Sequence, residues 1–459
     1  MTARADADVS GAGRCSLVIV GTAYHTPSTD RLEVLYNVAI GVDDAGRIVS
    51  VVDALSDEGR RLIEAARSVR RLGSSERLLP GLVDTHIHAP QWPQLGTGLD
   101  VPLEKWLFDY TFPLESKFSD EAFATRVWDD MVPTLLRHGT TTAVYYASIH
   151  EAATVRLAET CMAHGQRAFV GRVAMDHPSG TPDWYRDGNA DDAVSASARS
   201  VESIRSLGSA LVAPIITPRF IPACTDEALR GLGELARDTG ALVQTHCSES
   251  DWAHGYAYDR YGRSDTSMLN EFGLIRRSTV LAHGNHIADA DLTLIASRGA
   301  GVAHCPMSNS YFADAVFPFR RALSLGVHVG LGTDVAGGAR PGLFSQCSDA
   351  VTVSRMLDDG VDRERDRESR GVHDSRVDIV TAFHAATIGG ADLLGIEVGL
   401  FEVGRQFDAM VVDLERSTSG LRWWPEVDDE QRAFEKIVRL AGPDCISAVW
   451  VAGRQVVAG

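Results

Sequence analysis

The middle of the chain alternates short apolar runs with longer polar or helix-forming stretches, and this alternation restricts the fold more than any other feature. The apolar runs are LLPGLVDTHIH, TTTAVYYAS, QRAFVGRVAMD, LVAPIITPRF, ALVQTHCSES, STVLAHGN, GAGVAHCP and VHVGLGTD. Strands that are apolar throughout and alternate with helices form parallel sheets buried on both faces. Eight such units predict an α/β fold with a (β/α)8 TIM-type barrel. An open doubly wound sheet is the alternative, but no GxGxxG motif follows the first strand.

Both ends of the chain have a different sequence pattern, with short β-type runs separated by turn residues. The N-terminal runs are SLVIVGTAY, LYNVAIGV and GRIVSVV, and the C-terminal runs are FDAMVVDL and ISAVWVAGRQVV. They predict a small β-sandwich domain built from both termini, with two unrelated hairpins as the alternative. The predicted domains are residues 1–78 and 399–459 for the two parts of the sandwich, and residues 79–398 for the barrel.

Composition narrows the classes of partner. The 459 residues include 44 basic and 62 acidic side chains, which gives a net charge of −18. Such a chain does not neutralise a phosphate backbone, so we expect no nucleic-acid polymer as partner and favour a small uncharged or cationic substrate. Seven scattered cysteines without a CxxC pair predict a reducing, cytoplasmic location. Residues 1–14 are expected to form a loose leader, and no apolar run predicts a membrane segment.

Chemically reactive side chains cluster at the carboxyl ends of the predicted strands, where a barrel places its active site. They are His86 and His88 after the first strand, His246 and Glu249 after the fifth, His283 after the sixth, and Asp334 after the eighth. Each has an ordinary structural interpretation, such as a core histidine, a surface glutamate or a helix-capping aspartate. Their common position at strand ends favours a metal site instead. Three histidines and one aspartate suit Zn²⁺, with Fe²⁺ or Co²⁺ as alternatives.

The lysine distribution bears on the number of metal ions. Binuclear sites of this kind need a bridging carboxylated lysine or a glutamate near the end of the fourth strand. That strand ends Ile216-Thr217-Pro218-Arg219, and the barrel has no lysine after Lys117. One metal ion per chain is therefore predicted.

Several motifs resemble the amidohydrolase superfamily, namely PGLVDTHIHAPQ, HGTTTA, ITPRF, LAHG, HCPMSN and GLGTDVAGG. The segments LEKWLFDYTFPLESKF, GQRAFVGRVAMD and FEVGRQFDAMVVD are similar to the guanine deaminase family in particular. The resemblance runs from the first barrel strand to the C-terminus, and TFPLESKF and TPRF are its most specific parts. The THCSES and PMSN segments depart slightly from the family pattern, and Met307 is a possible change in a pocket wall.

The resemblance implies hydrolysis of guanine to xanthine and ammonia by a metal-activated water, as a step of purine catabolism or salvage. It implies one Zn²⁺, or Fe²⁺, held by His86, His88, His246 and Asp334. Glu249, Asp334 and His283 are the implied catalytic residues, with His283 orienting the water. The implied substrate-binding residues are Gln91, Arg219, Phe220, His88, His246, Glu249 and Asp334. A homodimer is implied by the family alone.

Two other functions, and one other role for Arg219, stay open at this point. A relative acting on a triazine, cytosine or an adenosine-type nucleoside would keep the same metal ligands, and TFPLESKF and TPRF argue for guanine instead. For Arg219, a purely structural salt bridge is the alternative to substrate binding. A metal-free scaffold or binding protein of the same fold would have lost ligands, and none is lost here.

Overall fold

The computed structural model describes residues 15–313 and 315–458, so the predicted leader lies outside the described residues. The strands, in chain order, are β1 (Leu17–Ser28), β2 (Arg31–Val42), β3 (Ile48–Asp53), β4 (Ser68–Arg71), β5 (Glu76–Pro80), β6 (Leu82–His88), β7 (Thr140–Tyr146), β8 (Arg167–Gly171), β9 (Val173–Ala174), β10 (Val212–Pro218), β11 (Leu242–Cys247), β12 (Val280–His283), β13 (Gly301–His304), β14 (His328–Leu331), β15 (Ala409–Asp413), β16 (Ile446–Val451) and β17 (Arg454–Ala458).

The α-helices follow most barrel strands. They are α1 (Asp57–Ala65), α2 (Leu103–Trp106), α3 (Phe112–Glu115), α4 (Glu121–Arg137), α5 (Glu151–His164), α6 (Ala190–Ser206), α7 (Asp226–Thr239), α8 (Asp251–Tyr261), α9 (Asp265–Glu271), α10 (Asp289–Arg298), α11 (Pro306–Phe312), α12 (Phe319–Ser324), α13 (Leu343–Asp359), α14 (Arg367–Arg370), α15 (Ile379–His384), α16 (Gly390–Leu394) and α17 (Glu430–Leu440). Local sequence sets their ends. The Thr225 hydroxyl caps the start of α7, and Gly240 ends that helix in the left-handed conformation.

The predicted barrel is confirmed. Its parallel strands pair in the order β14, β13, β12, β11, β10, β8, β7 and β6, and the short β9 pairs with β10. Two backbone hydrogen bonds close the ring between β6 and the segment after β14. The Asp334 amide donates to the His86 carbonyl at 2.9 Å, and the His88 amide donates to the Val335 carbonyl at 2.9 Å. The closure therefore brings predicted ligands from the first and last strands side by side.

Both termini form one mixed sheet, as expected for the sandwich domain. Its order is β17, β16, β15, β5, β1, β2 and β3, with β4 on β1. The antiparallel pairing of β15 with β5 joins residues more than 300 positions apart and excludes two unrelated hairpins. Strand β5 runs through the predicted boundary between residues 78 and 79 and belongs to this sheet.

The seven cysteines are buried and unpaired in the described structure. Of the helices in the described ranges, none has the length and apolar character needed to cross a bilayer.

Candidate active site

Four side chains converge at the carboxyl end of the barrel. His86 and His88 end β6, and because side chains alternate along a strand, both imidazoles leave the face opposite Ile87. His88 Nε2 lies 2.9 Å from Nε2 of His246, which is near the end of β11. Asp334 Oδ1 lies 3.1 Å from His86 Nε2 and 3.6 Å from His88 Nε2. The structure thus brings the four predicted metal ligands together.

The chemistry of this cluster fits a divalent metal ion. Burial, followed by neighbouring positive groups, lowers the pKa of His86, His88 and His246 well below the usual value, so the imidazoles are in the neutral form that binds metal. His246 Nδ1 donates to the Arg219 carbonyl oxygen at 2.6 Å, which leaves the Nε2 lone pair free to bind. Within the described residues, both His86 ring nitrogens lack a hydrogen-bond partner. Buried lone pairs beside a carboxylate form a donor set suited to a cation.

A buried carboxylate supports the cluster from below. Asp84 accepts hydrogen bonds from the Thr333 amide at 3.0 Å, the Thr333 hydroxyl at 2.6 Å and the His86 amide at 3.2 Å. It therefore ties β6 to the segment that carries Asp334. Burial raises the pKa of Asp84 to about 7. Asp84 is not among the predicted site residues, although its place two residues before the HxH pair is a usable signal.

A strained turn after β11 positions Glu249. Ser248 has a φ of 49°, in the left-handed region that non-glycine residues seldom adopt. Asp265 holds that turn by accepting from the Ser248 amide and, at 2.7 Å, from the Ser248 hydroxyl. The Asn285 side chain donates to the Glu249 carbonyl oxygen at 2.8 Å. These bonds fix the backbone of Glu249, so its side chain is aimed by the surrounding structure.

Glu249 and His283 face each other across the cluster. Glu249 Oε1 lies 3.5 Å from His283 Nε2, and His283 Nδ1 lies 2.9 Å from the Asn309 side-chain oxygen. This second contact leaves Nε2 as the nitrogen that faces the site. Burial, then the nearby Asp334 carboxylate, raises the pKa of Glu249 to about 8, with Arg219 opposing the change. A glutamate in this state exchanges protons near neutral pH.

The cluster opens into a cavity whose empty space, including the part that is open to solvent, is about 350 Å³. Its polar lining residues are His88, Gln91, Arg219, His246, Glu249 and Asp334, and its apolar ones are Leu103, Trp106, Leu107, Phe220 and Phe312. Every predicted substrate-binding residue therefore lines one cavity. Met307, noted above for its departure from the family pattern, is not among the lining residues.

The segment after the HxH pair covers this cavity with α2, a π-helical turn over Leu107–Thr111, and α3. Its aromatic residues divide between lining and packing. Trp106 lines the cavity and packs on Phe312, with ring centroids 5.2 Å apart. Phe112 is buried below the Arg219 guanidinium, whereas Phe108 is 38% exposed.

Arg219 reaches the cavity already paired with a carboxylate. Its Nη1 donates to Glu115 Oε2 at 2.7 Å and its Nη2 to Glu115 Oε1 at 3.1 Å. Glu115 also accepts from the side-chain amide of Gln91 at 2.9 Å and from the Tyr185 hydroxyl at 3.1 Å. Arg219 therefore forms the salt bridge that was the alternative to substrate binding, and it also lines the cavity, as substrate binding requires. Glu115 lies in TFPLESKF, a motif noted above without a role for its glutamate.

Comparison with known proteins places the chain among characterised enzymes. Residues 77–456 match the amidohydrolase family. The chain is 34% identical over 454 residues to guanine deaminase from Dictyostelium discoideum, covering 95% of this chain and 97% of that protein. The crystal structure of guanine deaminase from C. acetobutylicum with bound guanine superposes with a TM-score of 0.84 at 28% identity, covering 96% and 99% of the two chains.

An adenosine deaminase from Xanthomonas campestris, solved with bound zinc, has a TM-score of 0.82 at 25% identity and covers 97% and 94% of the two chains. The two guanine deaminases named above are more similar in sequence, at 34% and 28% identity. The chain belongs to the guanine deaminase family of amidohydrolases.

Proposed function

We propose that this enzyme removes the exocyclic amino group of guanine by hydrolysis, giving xanthine and ammonia. One observation carries the proposal. The metal-ligand cluster, the proton-transfer candidate Glu249 and the donors Gln91 and Arg219 all face one cavity, in a chain related over nearly its full length to guanine deaminases.

We propose a single Zn²⁺ held by His86, His88, His246 and Asp334. The buried, unpartnered imidazole nitrogens support a metal, and amidohydrolases are metal-dependent enzymes. Both lysines of the barrel domain, Lys105 and Lys117, are exposed, which argues against a carboxylated lysine bridging a second ion. Fe²⁺ is the alternative occupant.

The metal can be tested by elemental analysis of the purified protein. We expect about one zinc ion per chain, as for three histidines and a carboxylate with an open position. A content near two ions per chain, with both needed for activity, would exclude the mononuclear proposal.

Around the metal, the chain's own groups carry the protons. When bound, the ion lowers the pKa of a coordinated water towards neutrality. Asp334 accepts the proton released by the attacking water. Glu249 donates a proton to ring nitrogen 3 of guanine during attack at carbon 2. It then takes the hydroxyl proton of the tetrahedral centre and passes it to the departing amine, and the proton held by Asp334 returns to Glu249 to restore the starting state. His283 Nδ1 donates to the Asn309 side-chain oxygen, so His283 Nε2 presents a lone pair to the site, accepts a hydrogen bond from the attacking water and orients it.

Recognition of guanine follows from the polar and apolar walls. A guanidinium has five N–H donors, and Glu115 occupies two of those on Arg219, so three remain for the 6-oxo group. Gln91 both donates and accepts along the purine edge. The Phe220 ring, with its centroid 6.0 Å from that of His246, supplies an apolar face for the flat heterocycle.

Purified enzyme should release ammonia from guanine with the absorbance change of xanthine formation. Cytosine, adenosine and an aminotriazine serve as controls, because they represent the alternative substrates that the sequence leaves open. Faster turnover of any control than of guanine would overturn the substrate assignment. The homodimer and the cytoplasmic location stay predictions, and light scattering after gel filtration tests the former.

A further inference from the structure

Glu115 is buried beside the cavity without lining it, yet it contacts both polar residues that face the purine edge. Its side chain is about 1% exposed. Arg219 donates to both of its oxygens, and Gln91 donates to Oε1 at 2.9 Å. Tyr185 donates to Oε2 at 3.1 Å from the other side. One carboxylate therefore controls two substrate-facing side chains.

The first consequence concerns Arg219. Two parallel hydrogen bonds lock the plane of its guanidinium, and the Phe112 ring lies below it, 5.0 Å from Cζ to the ring centroid. The remaining donors consequently have fixed directions before substrate arrives. Binding then avoids the entropy cost of ordering a long side chain.

The second consequence concerns the amide of Gln91. Its nitrogen donates to Glu115, and its oxygen accepts from the Ala336 amide at 3.2 Å. A flipped amide would place an oxygen against the carboxylate and a nitrogen against an N–H group, so both contacts would become repulsive. Glu115 and the Ala336 amide together therefore decide which end of Gln91 offers a donor and which offers an acceptor.

We propose that Glu115 is a positioning residue that sets the hydrogen-bonding pattern by which this enzyme recognises guanine. The inference rests on the proposed function and deepens it, because it assigns selectivity to a residue that does not touch the substrate. Loss of the carboxylate releases Arg219 and leaves the Gln91 amide oriented by the Ala336 amide alone, so we expect weaker and less selective binding of guanine.

The alternative is that Glu115 only stabilises the fold, as buried ion pairs often do. The chain provides a matched control, because Arg77, Glu430 and Tyr24 form the same trio of groups away from the cavity. Arg77 Nε and Nη2 donate to the two Glu430 oxygens at 2.8 and 2.9 Å, and the Tyr24 hydroxyl also donates to Glu430. Replacing Glu430 disturbs a similar triad without reaching the substrate.

The test compares Glu115→Gln, Glu115→Asp and Glu430→Gln with wild type, each loaded with zinc. We expect Glu115→Gln to raise the KM for guanine by roughly 10- to 100-fold, the range for lost hydrogen bonds to charged groups, with a smaller change in kcat. Selectivity for guanine over 2,6-diaminopurine should fall with it. Glu430→Gln should lower the Tm but leave KM and selectivity unchanged.

The proposed function and the role of Glu115 are tested by separate measurements. Wild-type turnover of guanine tests the proposed function by itself, and the ratio of variant to wild type tests Glu115 on whichever amino-heterocycle the wild type turns over best. A KM within about threefold of wild type in folded, metal-loaded Glu115→Gln would overturn the proposal, as would an equal KM shift in Glu430→Gln. If Glu115→Gln does not fold, the KM of Glu115→Asp decides, because aspartate keeps the charge but its shorter side chain reaches less far towards Gln91.

Discussion

Surroundings give chemically similar carboxyl groups of this site different tasks. Glu249 faces the cavity with a pKa raised to about 8 by burial and by a neighbouring carboxylate, which suits proton exchange. Asp84, also buried, accepts three hydrogen bonds and holds two strand ends together. The negative charge of Glu115 is balanced by the guanidinium of Arg219, which binds both carboxylate oxygens. Environment, more than residue type, therefore decides the role of each group.

Glu249→Gln separates proton transfer from metal binding. Glu249 lies beside the cluster without being counted as a ligand, so the variant should keep its zinc. Because an amide cannot shuttle a proton, kcat should fall by at least ~10²-fold. Metal analysis and steady-state rates on the same preparation check this, with His88→Ala as the control that loses both metal and turnover. A Glu249→Gln protein devoid of metal would make Glu249 a ligand.

Arg219→Gln tests the donor to the 6-oxo group. A hydrogen bond from a charged group contributes ~1.5–3 kcal/mol, so kcat/KM for guanine should fall by ~10- to 150-fold. Discrimination against 2,6-diaminopurine, which carries an amino group in place of the oxo group, should weaken. The same change leaves Glu115 buried without its cation, so the Tm should also fall.

The double variant Arg219→Gln, Glu115→Gln distinguishes these two effects. It removes both charges, so it should recover part of the lost Tm but none of the guanine selectivity. Unchanged selectivity in both variants would make Arg219 purely structural.

The metal ligands and Glu115 differ in how far the sequence predicts their roles. His86 and His88 were predictable because strand alternation and barrel topology place them without knowledge of other contacts. The partner of Arg219 was not, because Glu115 lies 104 positions away and no local pattern links the two. The motif that contains Glu115 was visible, but its contacts depend on tertiary packing.

At the scale of single elements, the eight barrel strands were predictable because each is a continuous apolar run. The covering segment was not, because its short helices and π-helical turn take their shape from packing over the cavity.

The closure of the barrel also depends on the small size of Gly332. Gly332, between β14 and Asp334, lies so close to β6 that an added Cβ would be 2.7 Å from His86 Cβ and 2.9 Å from Cys305 Sγ.

Gly332→Ala should therefore displace His86. Misplacing a catalytic group by about 1 Å can lower the rate ~10²-fold, and we expect kcat/KM to fall by about that factor together with a loss of bound zinc. Gly255→Ala is the matched control, because Gly255 lies within α8 with open space around its Cβ position. That change should leave metal and activity unaltered and stabilise the protein by up to ~1 kcal/mol. Full zinc content in Gly332→Ala would contradict the packing argument.

The sequence patterns predict a barrel and a terminal sheet, but they do not predict which residues join the two. Arg167 begins β8 of the barrel, and Asp408 immediately precedes β15 of the terminal sheet. Arg167 Nη2 donates to Asp408 Oδ1 at 3.1 Å, and Oδ1 also accepts from the Ala452 amide at 2.7 Å. The Asp408 side chain is fully buried. This pair links the barrel to the sheet at the amino end of a strand, away from the active site.

Asp408→Asn should accordingly destabilise the protein without altering catalysis. It leaves the Arg167 guanidinium nearly buried and without a counter-charge, which typically costs about 3–5 kcal/mol. The amino ends of barrel strands serve stability, and the chemistry lies at the opposite ends, so KM and kcat of the folded variant should equal those of wild type. Urea unfolding followed by fluorescence and by activity measures both effects. Asp289→Asn, which breaks the exposed pair with Arg321, should leave the unfolding midpoint nearly unchanged. A shifted KM in Asp408→Asn would mean instead that the terminal sheet helps to shape the active site.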